Sequence, residues 1–207
     1  VGMITNDDVI DVIDEEAEED LLALAGVGDA NLRSGLWETL QGRSSWLFIN
    51  LLTAVLASAV IGVFGTTIEQ LVALAIIMPI VASMGGNAGT QTMTVAVRAI
   101  ALRQLDATAT RQFVLRELIL ATANGLLFAA LAAGLSYFWF GDQNIAILMA
   151  VAMMANLLVA GLSGTFVPVG LMRVGVDPAV ASSVFVTTIT DVVGFFVFLG
   201  LAALYLI

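Results

Sequence analysis

The chain has 207 residues, of which 60% are hydrophobic and only 12% carry a charged side chain. An average soluble domain has about 25% charged residues, so this composition indicates an integral membrane protein. The chain contains no Cys and no His, which excludes thiolate and imidazole metal sites and any nucleophile activated by a His base. A metal bound by this chain would be a hard cation held by oxygen ligands.

The net charge of −10 is concentrated near the N-terminus, where every acidic residue from Asp7 to Asp20 precedes the first hydrophobic span. Apolar residues recur at helical spacing between Asp7 and Leu24, which predicts an acidic amphipathic helix. Such a charge density repels nucleic acid and suits a cationic partner. We therefore expect no nucleic-acid partner, and we assign residues 1–43 to the acidic helix with its connector and residues 44–207 to a transmembrane domain; the arginines described below place the first segment in the cytoplasm.

Five hydrophobic spans follow the acidic segment, each with at least the roughly 20 residues that cross a bilayer. They run from about Ser45 to Phe64, Leu71 to Leu102, Phe113 to Phe140, Ile145 to Met172 and Ala179 to Ile207. Asp177 and Pro178 form a good start signal for the fifth helix, because Asp can cap it and Pro suits the first helical position. The predicted fold class is an all-α membrane protein with five transmembrane helices per subunit.

The second span contains Pro79, three glycines and several amide and hydroxyl side chains near its middle. A broken membrane helix is tolerated only where the break is buried in protein or faces a water-filled cavity. Close packing through small residues would explain the glycines, but it does not explain Asn87 and Gln91, which lie one turn apart on one face. We therefore expect a break at the Pro/Gly-Gly-Asn motif and favour a pore or binding cavity beside it.

All seven basic residues are arginines, and they lie before the first span, around the loop between spans two and three, and between spans four and five, whereas the turns at residues 65–69 and 141–144 contain none. They are Arg33, Arg43, Arg98, Arg103, Arg111, Arg116 and Arg173. The positive-inside rule then places the N-terminus in the cytoplasm and the C-terminus outside. Because five spans cannot divide into two equal inverted halves, a pathway on a two-fold axis between two subunits becomes attractive.

The fifth span carries Asp191 about 13 residues, or roughly 20 Å, from its cytoplasmic end. A carboxylate at that depth costs about 2.5–3.5 kcal/mol on insertion scales. Ser183, Thr187 and Asp191 follow each other at i, i+4 and i+8 and form a polar stripe. Structural pairing with a neighbouring helix is one explanation, but no Arg lies at that depth. A protonated Asp, a passing proton or a bound cation are the functional alternatives, and we favour a functional role.

The third and fourth spans carry three carboxylate or amide side chains. Glu117 follows Arg116 near the cytoplasmic edge of the third span, where a structural and a functional role are equally compatible with the sequence. Asn124 and Asn156 lie in the third and fourth spans, and each could form an interhelical hydrogen bond worth about 0.6 kcal/mol. We interpret these two asparagines as structural.

Three stretches resemble the membrane domain of the MgtE family of bacterial Mg²⁺ channels. They are PIVASMGGNAGTQTMTVAVRAIA from Pro79, GVDPAVASSVFVTTITDVVG from Gly175 and ITNDDVIDVIDEEAEED from Ile4. The last stretch resembles the end of paired CBS domains that run into an acidic "plug" helix. The resemblance covers essentially the whole chain. It implies a multi-pass protein of the bacterial inner membrane, with two identical subunits around one central pore.

The resemblance also implies Mg²⁺ as both the permeant and the regulatory ion. In such a pore Asp191 from both subunits forms a ring of carboxylates, with Asn87 and Thr187 beside it, and we add Ser183 and Glu117 to the pore residues. Four acidic residues match cytosolic sensing positions beneath the pore, where bound Mg²⁺ would relieve their repulsion and close the gate. They are Asp14, Glu16, Glu19 and Asp20.

Passive conduction of Mg²⁺ is the leading interpretation, and coupled carriage such as Na⁺/Mg²⁺ exchange is the alternative. An intramembrane enzyme would need a nucleophile and a base, yet the chain has no His, Cys or Lys, so we expect no enzymatic activity. A purely structural membrane anchor would leave Asp191 and the motif around Asn87 unexplained.

Overall fold

A computed structural model of the chain describes residues 35–104 and 107–206, together with the single positions Val12 and Leu22. The described ranges form six helices and contain no strand. The helices are α1 (Leu36–Val63), α2 (Gly65–Gln70), α3 (Ala73–Ala101), α4 (Ala107–Phe140), α5 (Gln143–Arg173) and α6 (Pro178–Tyr205). All of them except α2 are long and apolar enough to cross a membrane. The predicted all-α membrane fold with five spans is therefore confirmed.

Helix α5 is the centre of the bundle. It packs against α3, α4 and α6, and 56% of its most apolar stretch is buried, compared with 6% in α1. Its residues Met149, Met153 and Leu157 pack in one core with Leu74 of α3 and Phe198 of α6. Helix α1 packs mainly against α6 at the edge of the bundle, so most of its apolar surface is left for lipid.

Two helix starts follow the local signals in the sequence. Asp142 caps α5, because its carboxylate accepts hydrogen bonds from two backbone N–H groups of the first turn. The preceding Gly141 has a φ of +66°, a conformation that Gly adopts without steric cost. Asp177 caps α6 by accepting a 2.8 Å hydrogen bond from the N–H of Ala179, and Pro178 is the first helical residue. The predicted start of the fifth span is thus confirmed.

Two helices begin earlier than hydropathy predicts. Helix α1 begins at Leu36 rather than near Ser45, and α4 begins at Ala107 rather than Phe113. The polar ends of both helices extend beyond the apolar stretches because headgroups and water accommodate polar side chains there. Hydropathy therefore marks the part of a helix that crosses the hydrocarbon core, which is about 30 Å thick, and not its full length. The six-residue helix α2 is absent from the prediction.

Helix α3 is continuous from Ala73 to Ala101, so the predicted break at the Pro/Gly-Gly-Asn motif is wrong. Pro79 lies inside the helix, where its ring removes one backbone N–H donor. A full break would free several more donors and acceptors, which hydrocarbon cannot satisfy. The glycines therefore stay helical and serve another purpose.

That purpose is close contact between α3, α5 and α6. A Cβ atom on Gly85 would collide with the side chain of Asn156, and one on Gly89 would lie 2.6 Å from Cγ1 of Val186. A Cβ atom on Gly164 would lie 2.7 Å from the carbonyl oxygen of Gly89. Such separations are far below the usual carbon contact distance of about 3.5–4.0 Å. Small-residue packing, as is common in membrane helices, accounts for these glycines.

Candidate cation site

The first polar surface lies on α6 and consists of Ser183, Thr187 and Asp191, which we name the α6 stripe. All three side chains are half-buried in the single chain. In the described part of the chain the Asp191 carboxylate has no hydrogen-bond or ion-pair partner. Nor do the described residues include a group of three acidic side chains that could hold a metal ion. Asp191 is therefore an isolated carboxylate in the middle of a membrane helix.

The hydroxyl groups around Asp191 donate their protons to the backbone of their own helix. The Thr187 hydroxyl donates to the carbonyl oxygen of Ser183 at 2.8 Å, and the Thr190 hydroxyl donates to the carbonyl oxygen of Thr187 at 2.9 Å. A hydroxyl that has donated its proton still has lone pairs that can accept. The α6 stripe therefore presents oxygen acceptors to its surroundings, and these suit a hard cation or the water molecules around it.

The second polar surface lies on α3 and consists of Ser83, Asn87, Thr90 and Thr94, which we name the α3 stripe. These residues recur at i, i+4, i+7 and i+11, and all four are exposed in the single chain. Thr90 and Thr94 donate to the carbonyl oxygens of Gly86 and Thr90 at 2.9 and 2.8 Å. Hydrocarbon cannot satisfy the Asn87 amide, so this stripe requires water or another polar surface against it.

The third polar surface lies in a partly open cavity between three helices of the chain. The Glu117 side chain is only 9% exposed, and its Oε2 accepts a 2.9 Å hydrogen bond from the Thr92 hydroxyl, which joins α4 to α3. A cavity of about 220 Å³ lies beside this pair, between α3, α4 and α5. Its polar lining comes from Gln91, Thr92, Arg116, Glu117 and Asn124. We name this space the Glu117 cavity.

The described structure places the predicted pore residues in two different environments. Asp191, Thr187 and Ser183 share the α6 stripe, and Asn87 lies on the α3 stripe, while α3 and α6 pack against each other. Glu117 lines a cavity whose lining contains none of these four residues. The predicted sensing residues, Asp14, Glu16, Glu19 and Asp20, lie outside the described residues.

Asn156 has a more central position in the helix packing than its place in the sequence indicates. Its side chain is 1% exposed, and its Nδ2 donates a 2.8 Å hydrogen bond to the carbonyl oxygen of Val81 on α3. The same side chain lies against Gly85 of α3 and Gly194 of α6, so three helices meet there. An interhelical hydrogen bond agrees with the structural role predicted for Asn156. The sequence feature that could have indicated this position is an Asn within an apolar span, combined with glycines in two other spans that leave space for its side chain.

Comparison with known proteins agrees with the resemblance seen in the motifs. The family model of MgtE, described as a divalent cation transporter, matches residues 78–201. The magnesium transporter MgtE of Thermus thermophilus is 35% identical over 209 aligned residues, and that of Bacillus subtilis is 30% identical over 207. The corresponding protein of Enterococcus faecalis is 28% identical over 206 residues. Each alignment covers 100% of this chain and 46% of the relative, so the chain spans about half the length of these curated relatives.

Proposed function

Because this chain belongs to the MgtE family of divalent cation transporters, we propose that it forms the membrane pathway for Mg²⁺. As a member of a transporter family, the chain is not an enzyme. The observation that carries the proposal is the isolated, half-buried carboxylate of Asp191 on a membrane helix. Its burial costs about 2.5–3.5 kcal/mol on insertion scales, and a passing divalent cation offsets that cost.

The pathway lies between two copies of the chain, on a two-fold axis. In a single copy the α3 stripe is exposed and the α6 stripe is half-buried, so both need a polar partner within the membrane. An interface with two-fold symmetry brings each patch against its own counterpart, which would place two Asp191 carboxylates around one path. Two carboxylates can hold a Mg²⁺ ion that keeps most of its water.

Selectivity for cations follows from the hydrogen bonds of the two stripes. Thr90, Thr94 and Thr187 have each donated the hydroxyl proton to a backbone carbonyl. Their remaining lone pairs accept hydrogen bonds from the water around a cation, whereas an anion would need donors. Asp191 adds negative charge at the same surface. Rings of carboxylates are a recurrent feature of cation channels.

Orientation follows from the arginines at the helix ends. Arg98 lies in the last turn of α3, and Arg173 lies in the last turn of α5. The positive-inside rule places the C-terminal ends of α3 and α5 on the cytoplasmic side. The C-terminus of the chain would then be on the outer side of the bacterial inner membrane. With this orientation the acidic residues near the N-terminus would be on the cytosolic side, where we propose that they bind the regulatory Mg²⁺.

Mg²⁺ flux into liposomes that contain the purified chain tests the pathway. We expect Asp191→Asn to lower the flux about tenfold or more, because the mid-membrane charge is lost. Asp177→Asn is the matched control: Asp177 is an exposed cap outside the membrane, and Asn is an equally good cap. Wild-type flux in Asp191→Asn would overturn the pathway. Flux that requires a Na⁺ or pH gradient would replace passive conduction by coupled carriage.

A further inference from the structure

The Glu117 cavity is distinct from the proposed path between two copies, yet it contains a buried carboxylate. Glu117 lies ten residues after Ala107, or about 15 Å along α4, and Thr92 lies nine residues before Ala101, or about 14 Å along α3. Both side chains are therefore at a similar depth from the arginine-rich ends of their helices. A buried charged group on a membrane-spanning helix is rare and marks a functional site more often than a structural one.

The contacts within the chain leave the charge of Glu117 largely uncompensated. The Thr92 hydroxyl donates one hydrogen bond to it, but in the described part of the chain Glu117 belongs to no ion pair. Arg116 lines the same cavity and is exposed; its guanidinium does not pair with the carboxylate. The amides of Gln91 and Asn124 complete the polar wall and offer carbonyl oxygens as acceptors.

The cavity has room for a hydrated divalent cation. One water molecule requires a space of roughly 10–15 Å³, so a cavity of about 220 Å³ has room for several waters. Mg²⁺ prefers six oxygen ligands and loses its waters reluctantly. An ion that keeps its waters needs acceptors in the wall rather than a full set of protein ligands. Glu117, Gln91 and Asn124 provide such acceptors.

Gln91 lies between the cavity and the proposed pathway. Successive residues of a helix are about 100° apart, so Gln91 is about 40° from Asn87 of the α3 stripe and about 100° from Thr92 on its other side. The Gln91 side chain is exposed and also lines the cavity. The cavity and the path would therefore lie on adjacent faces of α3, with Gln91 between them.

We propose that the Glu117 cavity is a second cation subsite, which binds one hydrated divalent cation in each subunit beside the pathway. Glu117 supplies the negative charge, and the Thr92 hydroxyl holds the carboxylate in place. This inference rests on the proposed function, because the ion would reach the cavity from the Mg²⁺ path.

Mn²⁺ binding to the purified chain in detergent tests the subsite, with free Mn²⁺ followed by electron paramagnetic resonance. The Asp191→Asn background removes the carboxylate of the pathway, and every variant keeps the acidic residues near the N-terminus. We expect Glu117→Gln in this background to lose one Mn²⁺ per chain. Glu69→Gln is the matched control, since Glu69 is exposed on α2, and it should lose none. Unchanged Mn²⁺ binding in Glu117→Gln would overturn the subsite.

A pair of substitutions at Thr92 tests the subsite with the carboxylate kept. Thr92→Val removes the hydroxyl with little change in volume, and Thr92→Ser restores it. We expect Thr92→Val to weaken the Glu117-dependent Mn²⁺ binding severalfold and Thr92→Ser to recover it, whereas equal binding in both would contradict the proposal. If Glu117→Gln loses its ion while Asp191→Asn transports like the wild type, the pathway fails and the subsite stands. Loss of flux in Asp191→Asn with unchanged Mn²⁺ binding in Glu117→Gln would reject the subsite alone.

Discussion

The polar groups on two neighbouring faces of α3 differ in their surroundings: those on one face are exposed, and those on the other contact a second helix. The α3 stripe, which contains Asn87 and Thr90, is exposed in the single chain. On the face that carries Thr92, the Thr92 hydroxyl donates a 2.9 Å hydrogen bond to Glu117 of α4. On the face that carries Gly85, the Asn156 side chain of α5 packs against the glycine. Polar groups that contact another helix of the same chain contribute to the stability of that chain. Polar groups left open on a membrane helix require a partner, and here we propose that a second copy and a hydrated ion provide it.

The comparison predicts the largest loss of stability where α3 meets Asn156. We expect Gly85→Ala to lower the free energy of unfolding by about 1–3 kcal/mol, because the added methyl group collides with that side chain in a packed interior. Gly86→Ala is the matched control, since a Cβ atom there meets open space. Thermal unfolding in detergent measures both variants. Equal stability of the two would mean that α3 and α5 are not in close contact at Gly85.

Removal of the Asn156 side chain should have a smaller effect on stability. Interhelical hydrogen bonds in membrane proteins are worth about 0.6–1.7 kcal/mol, and Asn156→Ala loses the bond from its Nδ2 to Val81. Asn144→Ala removes an exposed asparagine near the start of the same helix and should be close to neutral. The same unfolding measurement compares them. A loss in Asn144→Ala as large as that in Asn156→Ala would argue against a special role for the three-helix contact.

Substitutions in the α3 stripe should affect Mg²⁺ flux more than stability. Thr90→Val removes an exposed hydroxyl whose proton is already bonded within its own helix, so we expect a change in unfolding free energy below about 0.5 kcal/mol. We expect the Mg²⁺ flux to fall about two- to fivefold, since an oxygen acceptor leaves the path. Thr122→Val is the control on α4, where the hydroxyl also bonds to its own backbone. A fall in stability without a fall in flux would place Thr90 outside the path.

Much of the fold can be predicted from the sequence because its signals are local. Hydropathy predicts the five spans, and Asp177 with Pro178 predicts the start of the last helix, since both depend on residues within one segment. The continuity of α3 cannot be predicted in this way. Pro79 and Gly85 are local signals for a break, but hydrocarbon favours intact backbone hydrogen bonds, and Gly85 is required by its contact with Asn156 of α5.

The candidate site likewise has one part that local spacing predicts and one part that depends on contacts between helices. Asp191, Thr187 and Ser183 form a stripe because of helical spacing alone, and that spacing is visible in the sequence. The pairing of Thr92 with Glu117 joins two helices across 25 residues of sequence, and no spacing rule indicates it. For that reason the sequence cannot separate Glu117 from the Asp191 surface, whereas the packing of α4 against α5 places Glu117 in a cavity of its own.

The most direct test asks whether the α3 stripe faces an aqueous path for cations. The chain contains no cysteine, so Asn87→Cys introduces a single thiol, and Leu126→Cys provides a control at an exposed apolar position of α4. We expect a positively charged methanethiosulfonate reagent to modify Asn87→Cys in liposomes and block its Mg²⁺ flux, with protection by added Mg²⁺, while Leu126→Cys is unaffected. If Asn87→Cys does not react, or reacts without any change in flux, the α3 stripe does not line the pathway.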